Sequence, residues 1–513
     1  MIQEVTISIA PKNVNSPLTI MKHIREELAL KKTQRIQFEI LKKSIDARRQ
    51  IVLFTLKLRV YIDEQLIPKQ DILYIENNVT DKEEVVIIGA GPAGLFCALQ
   101  CIELGLKPVV FERGKNVRDR RRDLAKLNKE GILDEESNYC FGEGGAGTYS
   151  DGKLYTRSNK RGDIQRVLDL FHLFGADENI TYEAHPHIGT NKLPLIIQAM
   201  REKIIACGGE VHFSKKLTDF KIVEDKIVSI TLNENEQKDI KNLVLATGHS
   251  AKDIYELLFH KKVEIESKPL AIGVRVEHPQ YLIDNIQYHC TVKDENLPPA
   301  SYSLVEQVNG RGVFSFCMCP GGIIAPASTQ KNTLVVNGWS PSKRNNPFAN
   351  SGMVVSVNPD DFKDKSVLGG LRFQESIEKK AYEVGGGKYV APAQRMTDFT
   401  QNKLSSFMPE CSYIPGVNSS LLSEVLPNKI YDSLSKAFIE FGKKMKGYYT
   451  EDALVVATES RTSSPVRIPR DKETLQHIRI QNLYPCAEGA GYAGGIVSAA
   501  MDGMKIAEKI GGK

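Results

Sequence analysis

The chain has 513 residues, of which 41% are hydrophobic and 26% charged, and its net charge is +5. These values are typical of a soluble globular protein with two or three domains and a large buried core. No apolar run approaches the roughly 20 residues needed to cross a bilayer, which excludes a membrane-spanning helix.

The N-terminus and the cysteines indicate the compartment. MIQEVTISIAPKN has no basic region followed by an apolar one, so we expect no signal peptide and a cytoplasmic protein. The nine cysteines are odd in number and lack a framework spacing, which predicts free thiols in a reducing environment. No paired C-x-x-C occurs, so we predict no metal site.

Residues 1–80 form a separate small module. They contain 13 basic and 9 acidic residues, whereas the rest of the chain has 55 and 54. Residues 2–9 and 51–61 alternate like strands, and 17–28 are helical in pattern, which predicts an α+β module. The charge would suit a nucleic acid or an acidic partner, but no aromatic RNA-binding signature accompanies it, so solvated lysines are the preferred interpretation.

EEVVIIGAGPAGL, at residues 83–95, begins a βαβ unit. A strand over 85–89 leads into a glycine turn, a helix over 92–104 and a second strand over 107–112. Gly89, Gly91 and Gly94 have the spacing of a dinucleotide fingerprint, and Glu112 at the end of the second strand can accept hydrogen bonds from a ribose. The helix N-terminus would bind the pyrophosphate.

Two further glycine clusters have the same spacing but a different context. Gly142, Gly144 and Gly147 have no strong strand before them, and no helix is predicted after them. Gly489, Gly491 and Gly494 lie between a short strand and an apolar helix, too near the end of the sequence for a second βαβ unit. One extended ligand such as FAD, with its adenosine at the first turn and its flavin far from it, would explain the three clusters together.

Several stretches resemble one family. They are GAGPAG with FERG, LATG at 245–248, FGEGGAGTYSDGKL, AIGVRVEHPQ, GVFSFCMCPGG, ESRTSSPVRI and YPCAEGAGYAGG. In these stretches the chain resembles glutathione-reductase-type flavoproteins, and more closely the uncharacterised FAD-dependent dehydrogenases described as NAD(FAD)-utilising. The resemblance implies an α/β fold with a Rossmann-like FAD-binding domain, an inserted mixed α+β substrate domain and the small N-terminal module. The expected bounds are 83–160, 190–264 and 451–513 for the FAD-binding domain, 161–189 for a connecting loop region and 265–450 for the substrate domain or cap.

The resemblance also implies a set of cofactor contacts. Gly89, Gly91 and Gly94, with Pro92 and Ala93, would contact the pyrophosphate, Glu112 and Arg113 the adenosine ribose, and Thr247 and Gly248 the adenine half. Glu488 would bind the ribityl chain or the pyrophosphate through water, and Gly494, Gly495 and Ile496 would face flavin N1 and O2. Gly144 and Gly145 complete the predicted cofactor-binding set.

The candidates for catalysis lie in three segments. Arg461, Ser463 and Ser464, with Arg467, would suit an anionic substrate, or else a loop held by salt bridges. Lys153, beside Asp151, could favour the charge of a reduced flavin, or belong to an ordinary turn. Cys317 and Cys319 would share one strand face and could be redox thiols, although buried small side chains are the preferred interpretation.

Other polar residues also have expected roles. His249, His278 and His289 are expected to be structural; His185 and His187 are candidates for a flavin-side loop; Gln394 and Arg395 are candidates for contacts at the cleft.

The leading functional prediction is an FAD-dependent oxidoreductase, a dehydrogenase that transfers a hydride through flavin N5 on a small organic substrate. NAD(P)H would bind transiently, or the substrate itself would reduce the flavin. The alternatives are a flavin-dependent monooxygenase, an RNA-associated flavoprotein that docks through residues 1–80, and a non-catalytic flavoprotein. The sequence makes no prediction of the oligomeric state.

Overall fold

The computed structural model describes residues 1–67, 72–156 and 162–512. The strands are β1 (Ile2–Ile9), β2 (Ile36–Asp46), β3 (Leu53–Ile62), β4 (Glu84–Ile88), β5 (Lys107–Phe111), β6 (Glu210–His212), β7 (Leu217–Val223), β8 (Lys226–Leu232), β9 (Glu236–Asp239), β10 (Leu243–Leu245), β11 (Glu266–Ser267), β12 (Leu270–Pro279), β13 (Val305–Val308), β14 (Arg311–Cys319), β15 (Ile323–Pro326), β16 (Val336–Trp339), β17 (Phe348–Val357), β18 (Ala391–Arg395), β19 (Val417–Ser419), β20 (Leu454–Glu459), β21 (Val466–Arg467) and β22 (Leu483–Pro485). The helices are α1 (Pro17–Glu27), α2 (Pro92–Glu103), α3 (Val117–Glu130), α4 (Ile164–Leu173), α5 (Leu193–Ala206), α6 (Lys252–His260), α7 (Gln280–Tyr288), α8 (Gly369–Gly385), α9 (Met396–Thr400), α10 (Asn428–Lys444) and α11 (Ile496–Ile510).

The N-terminal module is a three-stranded antiparallel sheet, in the order β1-β3-β2, with α1 beside it. The sequence predicted β1, α1 and β3 but not β2, whose residues are mostly half-buried and alternate poorly. The edge of β2 pairs with the loop before α5, where the Lys43 N–H donates to Tyr182 O and the Ala184 N–H donates to Lys43 O, both at 2.9 Å. The apolar core of the module continues into that of the neighbouring seven-stranded sheet.

A five-stranded parallel sheet has the order β22-β10-β4-β5-β6. Its first unit, β4–α2–β5, agrees with the predicted strand, helix and strand to within one residue. β4 is buried because α2 covers one face of the sheet, and α2 is itself buried along ten of its residues. The predicted hairpin is also confirmed: β7 and β8 pair around Glu224 and Asp225, which both have positive φ.

The predicted connecting loop region, 161–189, contains the helix α4. Asp163 caps it, since its carboxylate accepts a hydrogen bond of 3.0 Å from the Arg166 N–H. Val167, Leu168 and Phe171 bury its apolar face in the core beneath α2. The expected domain end at residue 160 lies outside the described residues.

A seven-stranded mixed sheet, in the order β13-β14-β17-β12-β20-β18-β19, forms the cap. β12 is its centre and pairs antiparallel with β17 and β20. β20 was expected in the FAD-binding domain, which was predicted to resume at residue 451. It joins the cap sheet instead, because every residue of LVVATE is buried between β12 and β18.

No helix in the described part of the chain is long and apolar enough to cross a membrane.

A buried ionic cluster ties α8 of the cap to α6 beside the parallel sheet. The Glu378 carboxylate accepts from Arg461 Nε at 3.1 Å, from Arg461 Nη2 at 3.0 Å and from Lys252 Nζ at 3.2 Å. It also accepts from the Ser460 hydroxyl at 2.7 Å. Although burial opposes ionisation, Arg461 and Lys252 hold the pKa of Glu378 well below its usual range.

Replacing Glu378 by glutamine should destabilise the fold, because it leaves two buried cations without a counter-charge. We expect a loss of roughly 3–5 kcal/mol in the free energy of unfolding at pH 7, measured by denaturant titration. A lowered carboxylate pKa contributes stability above the ordinary glutamate value of about 4.3, and this contribution is lost as the pH falls below it. The difference between E378Q and wild type should therefore shrink in acid.

The matched control is E375Q on the same helix. Glu375 pairs with Lys379, whose side chain is 56% exposed, so its loss should cost roughly 0.5 kcal/mol or less. Equal destabilisation by E378Q and E375Q would contradict the role of the buried cluster.

Candidate functional site

The main cleft lies at the carboxyl ends of β4, β5, β10 and β22, where the connections from the central strands diverge to opposite sides of the sheet. This is the usual ligand position in an open parallel sheet. The cleft has a volume of about 1510 Å³ when the part open to solvent is counted. It continues past the start of α11 to Phe316 and Cys317 on the cap strand β14.

The N-terminus of α2 opens into one end of this cleft. Gly91 is its N-cap and gives no side-chain hydrogen bond, so the first N–H groups of the helix are open to a ligand. A Cβ on Gly91 would meet nothing closer than Gly145 Cα at 3.9 Å, and it would therefore occupy space in the cleft. Gly89, Pro92 and Ala93 also line this end.

Gly94 lies behind the wall of the cleft. A Cβ there would sit 1.9 Å from Gly89 O, so glycine is required for the helix to approach the strand. This agrees with the packing role that the fingerprint predicts for the third glycine.

Glu112 lines the cleft at the end of β5 and also holds three loops together. Its carboxylate accepts backbone N–H groups from Ala90 at 2.8 Å, and from Gly114 and Gly142 at 2.9 Å. The sequence predicted the position of this residue, whereas its contact with the glycine loop, 30 residues away, arises from the fold.

Arg113 also lines the cleft but is already paired. It donates to Glu136 at 2.5 Å and to Asp253 at 2.9 Å, and its guanidinium carbon lies 4.1 Å from the centre of the Phe141 ring. These contacts fix the guanidinium as part of the wall.

The second glycine cluster packs against the α2 turn. The Gly144 N–H donates to Ala90 O at 2.7 Å, and a Cβ on Gly145 would lie 3.1 Å from Gly91 Cα. Gly145 lines the cleft, whereas Gly144 faces Thr148 and Ile197 behind it. Both have positive φ, which explains why the loop needs glycine there.

The N-terminus of α11 opens into the cleft beside the third cluster. Its N-cap, Gly495, has φ +85° and gives no side-chain cap, and a Cβ on Gly494 or Gly495 would meet nothing within 4 Å. Gly495 and Ile496 line the cleft; Gly494 lies next to the wall and bonds to Ser498.

An ion pair that the sequence analysis missed fixes the turn before α11. Asp502 on α11 accepts from the Ala487 N–H at 2.7 Å and from both terminal nitrogens of Arg470, at 2.6 and 2.9 Å. Its position two turns into an apolar helix could have indicated a buried partner.

Thr247, Gly248 and Glu488 line the cleft between the two helix N-termini. Glu488 Oε2 lies 3.5 Å from His249 Nδ1, and His249 Nε2 lies 3.1 Å from Arg461 O. Because a carbonyl only accepts, Nε2 carries a proton. His249 therefore joins the carboxylate to the ESRTSSP turn.

The structure does not bring the predicted anion-binding groups to the cleft. Arg461 is among the residues that line the cleft, but its guanidinium is held by Glu378 and by Thr329 Oγ1 at 2.7 Å. Ser464 is buried against Tyr255 Oη at 2.9 Å, and neither Ser463 nor Ser464 lines the cleft. Glu378, Thr329 and Tyr255 occupy the Arg461 guanidinium and the Ser464 hydroxyl, so these two groups no longer support an anionic substrate.

Lys153 does line the cleft, at the end beneath the cap. Its Nζ lies 3.1 Å from Asp151 Oδ2, and Asp151 also forms a bidentate pair with Arg344, at 2.9 and 2.5 Å. Although burial opposes it, Lys153 and Arg344 lower the pKa of Asp151. Burial would lower the pKa of Lys153, but the charge of Asp151 raises it above its usual value, so Lys153 carries a fixed positive charge.

Cys317 and Cys319 are beside Lys153, with their Sγ atoms 4.0 and 3.7 Å from Nζ. Below them the fully buried Arg275 donates to Cys317 O at 2.6 Å and to Glu459 at 2.6 Å. Burial raises the pKa of Glu459 to about 7, despite the opposing charge of Arg275.

The remaining candidates lie away from the cleft wall. Each has a partner outside the cleft lining: His278 bonds to Tyr448 O, His289 to Ala47 O, His187 to Ser342 O, Gln394 to Lys403 O and Leu422 N, and Arg395 to Asp398, while His185 contacts Tyr155. In the described parts of the chain no group of three or more His, Cys, Asp or Glu side chains could hold a metal.

Three family models match the chain. An FAD-binding domain matches residues 84–120, the C-terminal domain of an FAD-dependent protein matches 269–462, and a domain of unknown function matches 1–61. The first covers the α2 turn and Glu112, and the second covers most of the cap. FAD is the cofactor.

Several solved flavoenzyme structures have low similarity to the chain. The brominase Bmp2 is 13% identical and CtdE, solved with FAD and a substrate, is 10% identical; each match covers 84% of this chain and 80% of the other, with TM-scores of 0.35 and 0.33. Glycine oxidase from Bacillus cereus is 13% identical over 84% of this chain and 95% of the other, with a TM-score of 0.31. Such scores support no inference about the activity.

A full-length relative comes from Clostridium beijerinckii. This uncharacterised protein is 41% identical over 528 residues, which cover 98% of each chain. The chain therefore belongs to the family of FAD-dependent proteins that includes this uncharacterised clostridial protein.

Proposed function

We propose that the protein is an FAD-dependent oxidoreductase that transfers a hydride through flavin N5, to or from a small organic substrate bound beneath the cap. The observation that carries the proposal is one continuous cleft that contains two uncapped helix N-termini, those of α2 and α11, and that ends at Lys153 and Cys317. FAD has two separate electron-rich regions, the pyrophosphate and the flavin ring, and each could bind at one of these two helix N-termini.

The two termini suit different halves of the cofactor. The open N–H groups and the positive end of α2 would hold the pyrophosphate, with Glu112 at the adenosine side. Gly495 and Ile496 would present the start of α11 to the flavin ring. The positive end of α11 stabilises negative charge there, which is the charge that flavin reduction creates.

The residues beneath the cap would control the reacting end. Bound FAD supplies the hydride chemistry, while the chain supplies position and charge. Lys153, fixed by Asp151, places a positive charge at this end, and Phe316 of β14 lines it. The substrate would lie against Lys153, Cys317 and Asn337, rather than against the ESRTSSP turn.

The electron donor is proposed to be NAD(P)H that binds transiently. The described residues contain a single five-stranded parallel sheet, and its cleft is assigned to FAD. A nicotinamide would therefore approach the flavin from the cap side and leave before the substrate binds.

Replacing Gly91 by alanine should weaken FAD binding without disturbing the fold. Gly91 has φ −75°, and the new methyl group would have 3.9 Å to its nearest protein neighbour, so the apoprotein accommodates it. The methyl group would instead occupy the pyrophosphate position. We expect the Kd for FAD, from quenching of flavin fluorescence, to rise by about tenfold or more, which is 1.4 kcal/mol.

G312A, in the cap strand β14, is the control. A Cβ there would lie 3.2 Å from the movable Ser356 Oγ, outside the cleft. Equal FAD affinity in G91A and wild type, at equal apoprotein stability, would show that the pyrophosphate does not approach Gly91.

The proposed reaction is tested by mixing the flavin-loaded protein with NADH or NADPH without oxygen. We expect the absorption band of the oxidised flavin to bleach with one of them, because hydride transfer from a nicotinamide reduces the flavin. A flavin that dithionite reduces but neither nicotinamide reduces would contradict transient NAD(P)H as the donor. Bleaching followed by substrate hydroxylation only when oxygen is admitted would favour the monooxygenase alternative.

A further inference from the structure

A short two-stranded ribbon leads from the cleft to the surface beside the N-terminal module. Backbone hydrogen bonds of 2.9 and 3.1 Å join residues 152–154 to residues 186–188, and they pair Lys153 antiparallel with His187. Because Lys153 lines the cleft, the face of the ribbon that carries its side chain is directed towards the cleft.

An exposed pair of rings continues this face outward. Tyr155 and His185 are the next residues on the same face as Lys153, since side chains alternate along a strand. Their ring centres lie 4.7 Å apart, with an angle of 61° between the ring planes. Tyr155 is 51% exposed and His185 is also exposed. The two rings therefore offer an aromatic surface just outside the cleft, on which a planar group of a ligand can stack.

Lys42 of the N-terminal module lies beyond the rings. The adjacent Lys43 is joined to residues 182–184 by backbone hydrogen bonds, which hold this part of β2 close to His185. Burial, then the charges of Lys42 and Arg344, lower the pKa of His185. The His185 ring is therefore mostly uncharged at neutral pH and suits stacking rather than ion pairing.

The charge of Lys42 is uncompensated. Lys42 is exposed, and no carboxylate pairs with it in the part of the chain that the structure describes. Its neighbour across the β2–β3 pair is Lys57, which forms an ion pair of 2.6 Å with Glu4. Like charges directly opposite each other on a sheet are unfavourable. An anionic group bound at Lys42 would relieve this repulsion.

One extended ligand can reach both Lys153 and Lys42. Lys43 pairs with Glu183 and Lys153 pairs with His187, and the two partners are four residues apart in one segment. Four residues span at most roughly 14 Å. The ligand therefore needs a negative group at a distance of this order from the part that enters the cleft. A dinucleotide meets this requirement, whereas a small organic substrate would occupy only the Lys153 end.

We propose that the ribbon and Lys42 form the binding site of the electron donor, and that this donor is NADPH. The nicotinamide enters the cleft at Lys153, the adenine stacks on the rings of Tyr155 and His185, and the 2′-phosphate pairs with Lys42. NADH has the same rings but lacks the 2′-phosphate, so the N-terminal module selects between the two donors. This inference rests on the proposed function, which assigns the cleft itself to FAD.

Equilibrium binding of NADP⁺ to the flavin-loaded protein tests the site without electron transfer. We expect wild type to bind NADP⁺ more tightly than NAD⁺. K42M should raise the Kd for NADP⁺ about fivefold, which is the effect of losing one exposed ion pair, and should leave the Kd for NAD⁺ unchanged. The effect of K42M should shrink in high salt, because salt screens exposed charges.

Y155L tests the ring pair separately. Both nucleotides contain adenine, so Y155L should raise the Kd for NADP⁺ and the Kd for NAD⁺ by a similar factor, about fivefold or more. A loss of affinity for NADP⁺ alone would contradict the stacking of adenine at Tyr155.

K22M is the matched control in the same module and removes the same charge. Lys22 is exposed on α1, where it pairs with Glu26 at 3.8 Å. The helix packs on the buried face of the three-stranded sheet, whereas Lys42 is on the exposed face. K22M should therefore bind both nucleotides like wild type. Equal affinity for NADP⁺ in K42M and wild type, or an equal loss in K22M and K42M, would overturn the inference.

Reduction of the flavin separates a failure of this site from a failure of the proposed oxidoreductase. Bleaching by NADPH with the same concentration dependence in K42M and wild type would overturn the site but keep the oxidoreductase. Binding of NADP⁺ that depends on Lys42, with a flavin that NADPH does not bleach, would support nucleotide binding here and overturn its role as the donor site.

Discussion

The site depends on the close packing of two helices whose N-termini open into the same cleft. A Cβ on Gly94 would lie 1.9 Å from Gly89 O, and a Cβ on Gly503 would lie 2.1 Å from Ala93 O. Glycine at these two positions lets α2 approach β4 and lets α11 approach α2. Because helix ends carry unpaired N–H groups, this packing creates two anion-attracting positions on one wall.

Two carboxylates connect the loops around this wall to the two helices. Glu112 connects the α2 turn to the second glycine cluster through three backbone bonds, and Asp502 connects α11 to the turn after β22. Both carboxylates hold backbone in place beside an open helix end. The cofactor cleft is therefore built by residues that fix loops as well as by residues that would touch FAD.

Local patterns predicted the local structure. β4, α2 and β5 follow from a buried strand, a glycine turn and a helical period, and Gly94 follows from the spacing of its motif. β2 was missed because its alternation is weak. β20 was assigned to the wrong sheet because a short apolar strand next to the C-terminal turn does not indicate its partner.

Long-range partners decided the roles of the charged residues. The sequence offered Arg461 as a substrate contact, but Glu378, 83 residues away, holds its guanidinium inside the structure. Asp151 and Arg344 are 193 residues apart and meet only in the fold. Cys317 and Cys319 were recognised as a pair from their spacing, whereas Lys153 and Arg275, the cations near their sulfurs, come from separate segments. These contacts move the expected substrate position from the ESRTSSP turn to the wall at Lys153.

The flavin content of the purified protein tests most directly whether the cleft holds FAD. We expect a yellow protein that releases FAD, at one molecule per chain, when it is denatured, and a G91A variant purified in parallel that contains less. A colourless protein that cannot be reconstituted with FAD would contradict the assignment of the cleft, and with it the proposed oxidoreductase.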